Sequence, residues 1–218
     1  MLNDGWTIRP SSCALIIVDV QNDYAHKDGH MGKTLGDRIE ERRKILKPLR
    51  RMIDVCREGG VRVIWIQSVR TPEDSERHRH RIIPPRLADD PEWLGGPRKD
   101  SWGATIVEEV KPGAADTVVQ KTRNSAFYKT DLENLLKREG IDTLMFAGIA
   151  TNICVESSLR DAYFRDFDVI LVEDCCSAGD TESHEATKRT VGRAYGAVTS
   201  SEEAIRKISD AVKARIRP

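Results

Sequence analysis

The chain has no surplus of either charge: its 218 residues carry 35 Lys and Arg against 35 Asp and Glu. That balance excludes the basic footprint of a nucleic-acid or membrane-surface protein and fits small neutral or weakly charged substrates. There is no apolar run long enough to span a bilayer, and Met1-Leu2-Asn3-Asp4-Gly5-Trp6 lacks the basic region and apolar core of a signal peptide. A soluble, cytoplasmic protein with no nucleic-acid or membrane partner is therefore expected. The five cysteines are odd in number and nowhere spaced C-x-x-C, which argues against a disulfide framework or a zinc site. Glycine is missing from Asp19-Val20-Gln21-Asn22-Asp23, so the chain lacks the phosphate-cradling loop that a nucleotide-binding doubly wound protein places after its first strand.

What is present alternates. Cys13-Ala14-Leu15-Ile16-Ile17-Val18 is a short continuous apolar run, as expected of a strand buried on both faces. A helical pattern from about 37 to 58, with a kink expected at Pro48, stops at Gly59-Gly60, and a second strand follows over 61–66. Residues 71–115 are rich in Pro, Gly, Arg and Asp and read as an irregular excursion. Strands over 116–120, 143–147, 169–172 and 197–199 then alternate with helices near 131–139, 152–165, 182–195 and 202–216. The expectation is a single domain over 1–218 in the α/β class: a three-layer α/β/α arrangement around a six-stranded, doubly wound parallel sheet. Ligands in such sheets bind outside the carboxyl ends of the strands.

Three reactive groups fall at that edge. Asp19 ends the first strand, Lys121 ends the third, and Cys154 follows the fourth. A carboxylate beside a thiol can take its proton, and an ammonium nearby favours both anions. Cys154 also falls where a strand meets the start of a helix, a setting expected to favour the thiolate. Each residue has a plainer reading: a core cysteine, a turn-capping aspartate, a solvated lysine at a strand end. Their shared position tips the reading toward chemistry. Cys13, Cys56, Cys175 and Cys176 are read as core residues, the last two as following the fifth strand.

The chain resembles the isochorismatase-like cysteine amidohydrolases. The resemblance rests on Ala14-Leu15-Ile16-Ile17-Val18-Asp19-Val20-Gln21-Asn22-Asp23-Tyr24, on Val119-Gln120-Lys121 with Asn124-Ser125-Ala126-Phe127, and on Gly148-Ile149-Ala150-Thr151-Asn152-Ile153-Cys154-Val155-Glu156-Ser157. It implies a catalytic triad of Asp19, Lys121 and Cys154, a cis peptide between Ile149 and Ala150, and an oxyanion hole formed by the N–H groups of Ala150 and Cys154. It also implies no cofactor and a homo-oligomer, a tetramer or a dimer.

Related nicotinamidases carry an Asp-x-His pair and a further His after the second strand, whereas this chain reads Gln67-Ser68-Val69-Arg70-Thr71-Pro72. His78 and His80 are flanked by arginines, so no catalytic metal is expected. Among the cysteine members the chain looks most like ureidoacrylate, N-carbamoylsarcosine and biuret or triuret amidohydrolases. The resemblance implies C–N hydrolysis of a small carbamoyl compound through a thioester, with release of ammonia. Tyr24, Trp102 and Phe127 are candidate walls for a planar substrate beside Ile149, and Gln21 and Asn22 are candidate donors to its amide edges. A substrate carboxylate would call for one arginine, with Arg70, Arg77, Arg79, Arg81, Arg86 and Arg98 as candidates. A nicotinamidase-type amidase and a catalytically silent scaffold of the same fold stand as alternatives.

Overall fold

The computed structural model describes residues 5–75, 82, 90 and 93–216. Six strands, β1 (Cys13–Val18), β2 (Arg62–Ser68), β3 (Thr117–Lys121), β4 (Thr143–Ile149), β5 (Asp168–Ser177) and β6 (Ala197–Thr199), form one sheet in the order β3-β2-β1-β4-β5-β6. Every pairing is parallel, which makes this the expected doubly wound sheet. Strand order runs outward in both directions from β1 and β4. The space beyond the carboxyl ends of those two strands is the topological switch point at which such sheets bind ligands.

Among the described residues the helices are α1 (Asn22–Ala25), α2 (His30–Leu35), α3 (Ile39–Arg43), α4 (Leu46–Gly59), α5 (Leu132–Arg138), α6 (Glu156–Tyr163), α7 (Thr181–Ala194) and α8 (Ser201–Ile216). Strand alternation builds the layers. Cys13, Leu15 and Ile17 of β1 enter a core with Leu49, Met52 and Ile53 of α4 and Ile208 of α8. Ala14, Ile16 and Val18 enter the opposite core with Leu132 and Leu136 of α5, Leu159 of α6 and Val191 of α7. Full burial of a Leu or Ile side chain contributes about 1.5–3 kcal/mol, so a strand buried on both faces is a strongly fixed reference for the residues at its end.

Three sequence expectations change. The helix over 37–58 is broken into a 3₁₀ turn (Gly36–Arg38), α3 and α4. Pro48 is the third residue of α4, not a kink inside it; its ring would clash with the Lys44 carbonyl of a continuous helix, so the break falls at Lys44-Ile45. The Gly59-Gly60 stop holds: Gly60 has φ 76°, and Val61 N–H donates to Cys56 O at 2.8 Å. β5 is longer than expected and contains Cys175 and Cys176, whose side chains enter opposite cores.

Gly148 fixes how closely β4 approaches β1. Its φ is 121°, and a Cβ there would sit 2.1 Å from the Val18 carbonyl oxygen. Gly148→Ala is expected to cost more than about 3 kcal/mol through clash and backbone strain together; an unchanged urea midpoint would contradict the close approach.

Candidate active site

Asp19 is the first residue beyond β1 and has φ 55°, a left-handed conformation that is uncommon outside glycine. Its N–H donates to Ile66 O at 2.9 Å and its carbonyl accepts from Gln21 N–H at 2.9 Å, so the turn is held from both sides. Lys121 is the last residue of β3 and pairs in register with Ser68 of β2. β2 lies between the two residues' strands, so about 10 Å of sheet separates their backbones. The long lysine stem crosses that gap: Nζ is 2.7 Å from Asp19 Oδ2, with both side chains buried. Nζ also donates to Arg123 O at 2.9 Å. Despite the ion pair, neither Asp19 oxygen accepts an aligned hydrogen bond among the described residues, which leaves acceptor capacity for a proton.

Cys154 sits in a widened, π-type turn over Thr151–Val155, not in the first turn of an α-helix as expected from the sequence. The Ala150 carbonyl accepts from both Ile153 N–H at 3.0 Å and Val155 N–H at 3.1 Å, which spreads the turn before α6 begins. Ser158 Oγ donates to Cys154 O at 2.7 Å and accepts from Ala126 N–H at 2.9 Å, tying the cysteine turn to the segment that follows Lys121. The Ile149-Ala150 peptide is cis, as the resemblance implies.

The resting thiol differs from the sequence expectation. Burial pushes the Cys154 thiol up to about 12; the nearby Lys121 ammonium opposes the rise and the Asp19 carboxylate adds to it. Desolvation and the Asp19 charge together disfavour the thiolate, and Lys121 offsets them only in part. The shift runs against the thiolate preference expected from the sequence.

The remaining candidates separate. Tyr24 lies near the trio: burial raises its phenol, the Asp19 carboxylate raises it further, and Arg70 opposes the rise. Gln21 is a brace. Its Nε2 donates to Ser68 O and Ala104 O at 2.8 and 2.7 Å, and its Oε1 accepts from Ser68 N–H, so its carboxamide is committed to backbone. Asn22 Nδ2 likewise donates to Trp102 O at 2.9 Å. Trp102 is 53% exposed and packs edge-on against His26. Phe127 is buried against Phe167 in the core under α5 and α6, and Ile149 is buried in the opposite core. The geometry thus gives Gln21, Asn22, Phe127 and Ile149 packing or bracing roles.

Two arginines that strand and helix patterning does not single out are buried near this edge. Arg70 is held two residues beyond β2, and Arg42 of α3 donates to Tyr24 O at 3.3 Å and lines a cavity of about 460 Å³ with Ser177 and His184. No property of the sequence other than the arginine-rich context marks either one.

An isochorismatase domain model matches residues 13–203. The chain belongs to the isochorismatase family. It is 33% identical over 202 residues to ureidoacrylate amidohydrolase RutB of Yersinia enterocolitica, covering 88% of this chain and 87% of that one. The RutB of Rhizobium rhizogenes is 31% identical over 215 residues, with 94% and 87% covered. Among solved structures, a cysteine hydrolase from Pseudomonas syringae pv. phaseolicola superposes with a TM-score of 0.82 at 24% identity, covering 94% of this chain and 96% of that one. N-carbamoylsarcosine amidase from Thermoplasma acidophilum does so with a TM-score of 0.71 at 26% identity, covering 88% and 97%. This isochorismatase-family chain is accordingly a hydrolase of C–N amide bonds.

Other features of this family member bear on the site. Among the described residues no helix is long and apolar enough to cross a membrane, and no three His, Cys, Asp or Glu side chains gather as a metal cluster. His78, His80, Arg77, Arg79, Arg81 and Arg86 lie outside the described residues. Cys13, Cys56, Cys175 and Cys176 are buried, whereas Cys154 is partly accessible. Iodoacetamide is therefore expected to label Cys154 first. Its rate should keep rising between pH 8 and pH 10, above the range of a free thiol at about 8.5, and Asp19→Asn should shift that rise to lower pH. A plateau reached by pH 7 would contradict the raised thiol.

Proposed function

We propose that the protein is a cysteine amidohydrolase of small ureido compounds of the ureidoacrylate type, with Cys154 as nucleophile, Asp19 as proton acceptor and donor, and Lys121 as the charge partner of Asp19. The observation that carries this reading is the buried Asp19–Lys121 pair at 2.7 Å, acting on the Cys154 thiol at the sheet's switch point. The names of the 31–33% identical relatives support the substrate class.

In the first step Asp19 takes the Cys154 proton as sulfur attacks the ureido carbonyl, so charge moves from carboxylate to carbonyl oxygen without a stable thiolate. The N–H groups of Ala150 and Cys154 stabilise that oxyanion. Asp19 returns the proton to the leaving nitrogen, ammonia departs, and a carbamoyl thioester remains on Cys154. Water then attacks with Asp19 as base, sulfur leaves and is reprotonated, and the released carbamate breaks down to amine and carbon dioxide. Tyr24 borders the substrate. The enzyme works without a metal or cofactor, in the cytoplasm and as a homo-oligomer.

Ammonia release should be highest on a ureide in a panel of ureidoacrylate, N-carbamoylsarcosine, biuret, triuret and nicotinamide. Cys154→Ser and Lys121→Met should each lower kcat/KM on that ureide by about 10³-fold or more. Wild-type turnover by Cys154→Ser, or preference for nicotinamide, overturns the reading.

A further inference from the structure

Buried charge at the site does not cancel. Asp19 and Lys121 neutralise each other, while Arg70, only 2% exposed, makes no ion pair with a carboxylate among the described residues. A guanidinium removed from water without a counter-charge is unfavourable, and one retained that way is complete only when an anion arrives.

Arg70 is also built rigidly. Its backbone is pinned on both sides, by Arg70 N–H to Pro97 O and by Lys99 N–H to Arg70 O, each at 2.8 Å. Gly96 lies flat against it: a Cβ there would come within 3.2 Å of Arg70 Cγ and 3.3 Å of Cζ. Both side-chain anchors use one nitrogen, Nη1, which donates to Ser68 Oγ at 3.1 Å and to Val69 O at 3.0 Å. Nε is buried without a partner. The edge formed by Nε and Nη2, whose N–H bonds run parallel, is thus left uncommitted, and two parallel donors match the two oxygens of a carboxylate.

The location suits a substrate's far end. Ser68, which anchors Nη1, lies opposite Lys121 in the β2–β3 register, and the Tyr24 phenol has Asp19, Cys154 and Arg70 as neighbours. We infer that Arg70 is the receptor for a substrate carboxylate, so that the site selects acidic ureides over neutral ones. The inference rests on the ureide reading above and specifies its substrate class.

Calorimetry on Cys154→Ser protein, titrated with 3-ureidopropionate and with its uncharged primary amide, tests it without turnover. The acid should bind at least about tenfold tighter than the amide. Arg70→Gln should abolish that preference, and Arg70→Lys should restore only part of it, because an ammonium supplies charge without the fork. With active protein, Arg70→Gln should raise KM for ureidoacrylate about 100-fold and leave kcat/KM for biuret within about threefold; a purely structural role would depress both substrates alike. Equal binding of acid and amide by the protein retaining Arg70 overturns the assignment and needs no substitution at that position. So does loss of the preference in Arg42→Gln but not in Arg70→Gln. Acid-selective binding that depends on Arg70, alongside a panel showing no ureide hydrolysis, sustains the arginine's role and contradicts the proposed reaction.

Discussion

The buried contact between Lys121 and Asp19 is the constraint around which the candidate site is arranged. It spans three strands, and it needs Asp19 in a left-handed conformation at the end of β1. Losing either partner leaves an uncompensated buried charge, a defect that costs about 3–5 kcal/mol in comparable pairs. Such a pair is a poor way to gain stability, since apolar residues of equal volume often do as well. Its persistence at a ligand-binding edge therefore points to chemistry. The surrounding braces agree: Gln21 holds β1 to β2 and to Ala104, and Ser158 holds the Cys154 turn to Ala126.

A buried thiol beside a carboxylate is chemically sensible for an amide hydrolase. A permanently exposed thiolate reacts with oxidants and alkylating agents, whereas a proton held until the carbonyl arrives couples deprotonation to attack. Burial supplies the restraint and Asp19 supplies the acceptor. Lys121 supplies the buried countercharge to Asp19.

Much of this was legible in the chain. The apolar run of β1, its abrupt end at Asp19 and the later strands follow from period and turn chemistry, and β1 and β6 fall on the expected residues. The coincidence of Asp19, Lys121 and Cys154 at one edge followed from strand order alone. Other features depend on three-dimensional competition that pattern does not encode. Pro48 displaced a helix break by a few residues, and Ala150 drew two N–H groups into a widened turn. Desolvation raises the Cys154 thiol, the opposite direction from the one the strand-to-helix position suggests. Gln21, Asn22 and Phe127 are ambiguous in sequence because polar and aromatic residues near a site have many possible partners; in the structure Gln21 and Asn22 donate to backbone carbonyls and Phe127 packs in a core. Arg70 shows the converse, since only burial and missing partners distinguish it from the other arginines of a basic stretch.

The central claim is that Cys154 forms a covalent bond to the substrate carbonyl. Rapid acid quench of the protein turning over ureidoacrylate, followed by peptide mapping in a mass spectrometer, tests it directly. The account predicts a carbamoyl thioester adduct, with the mass of substrate less ammonia, on the peptide containing Cys154 and on no other cysteine. Turnover at full rate with Cys154 unmodified at every quench time, or the adduct on a different cysteine, would contradict it.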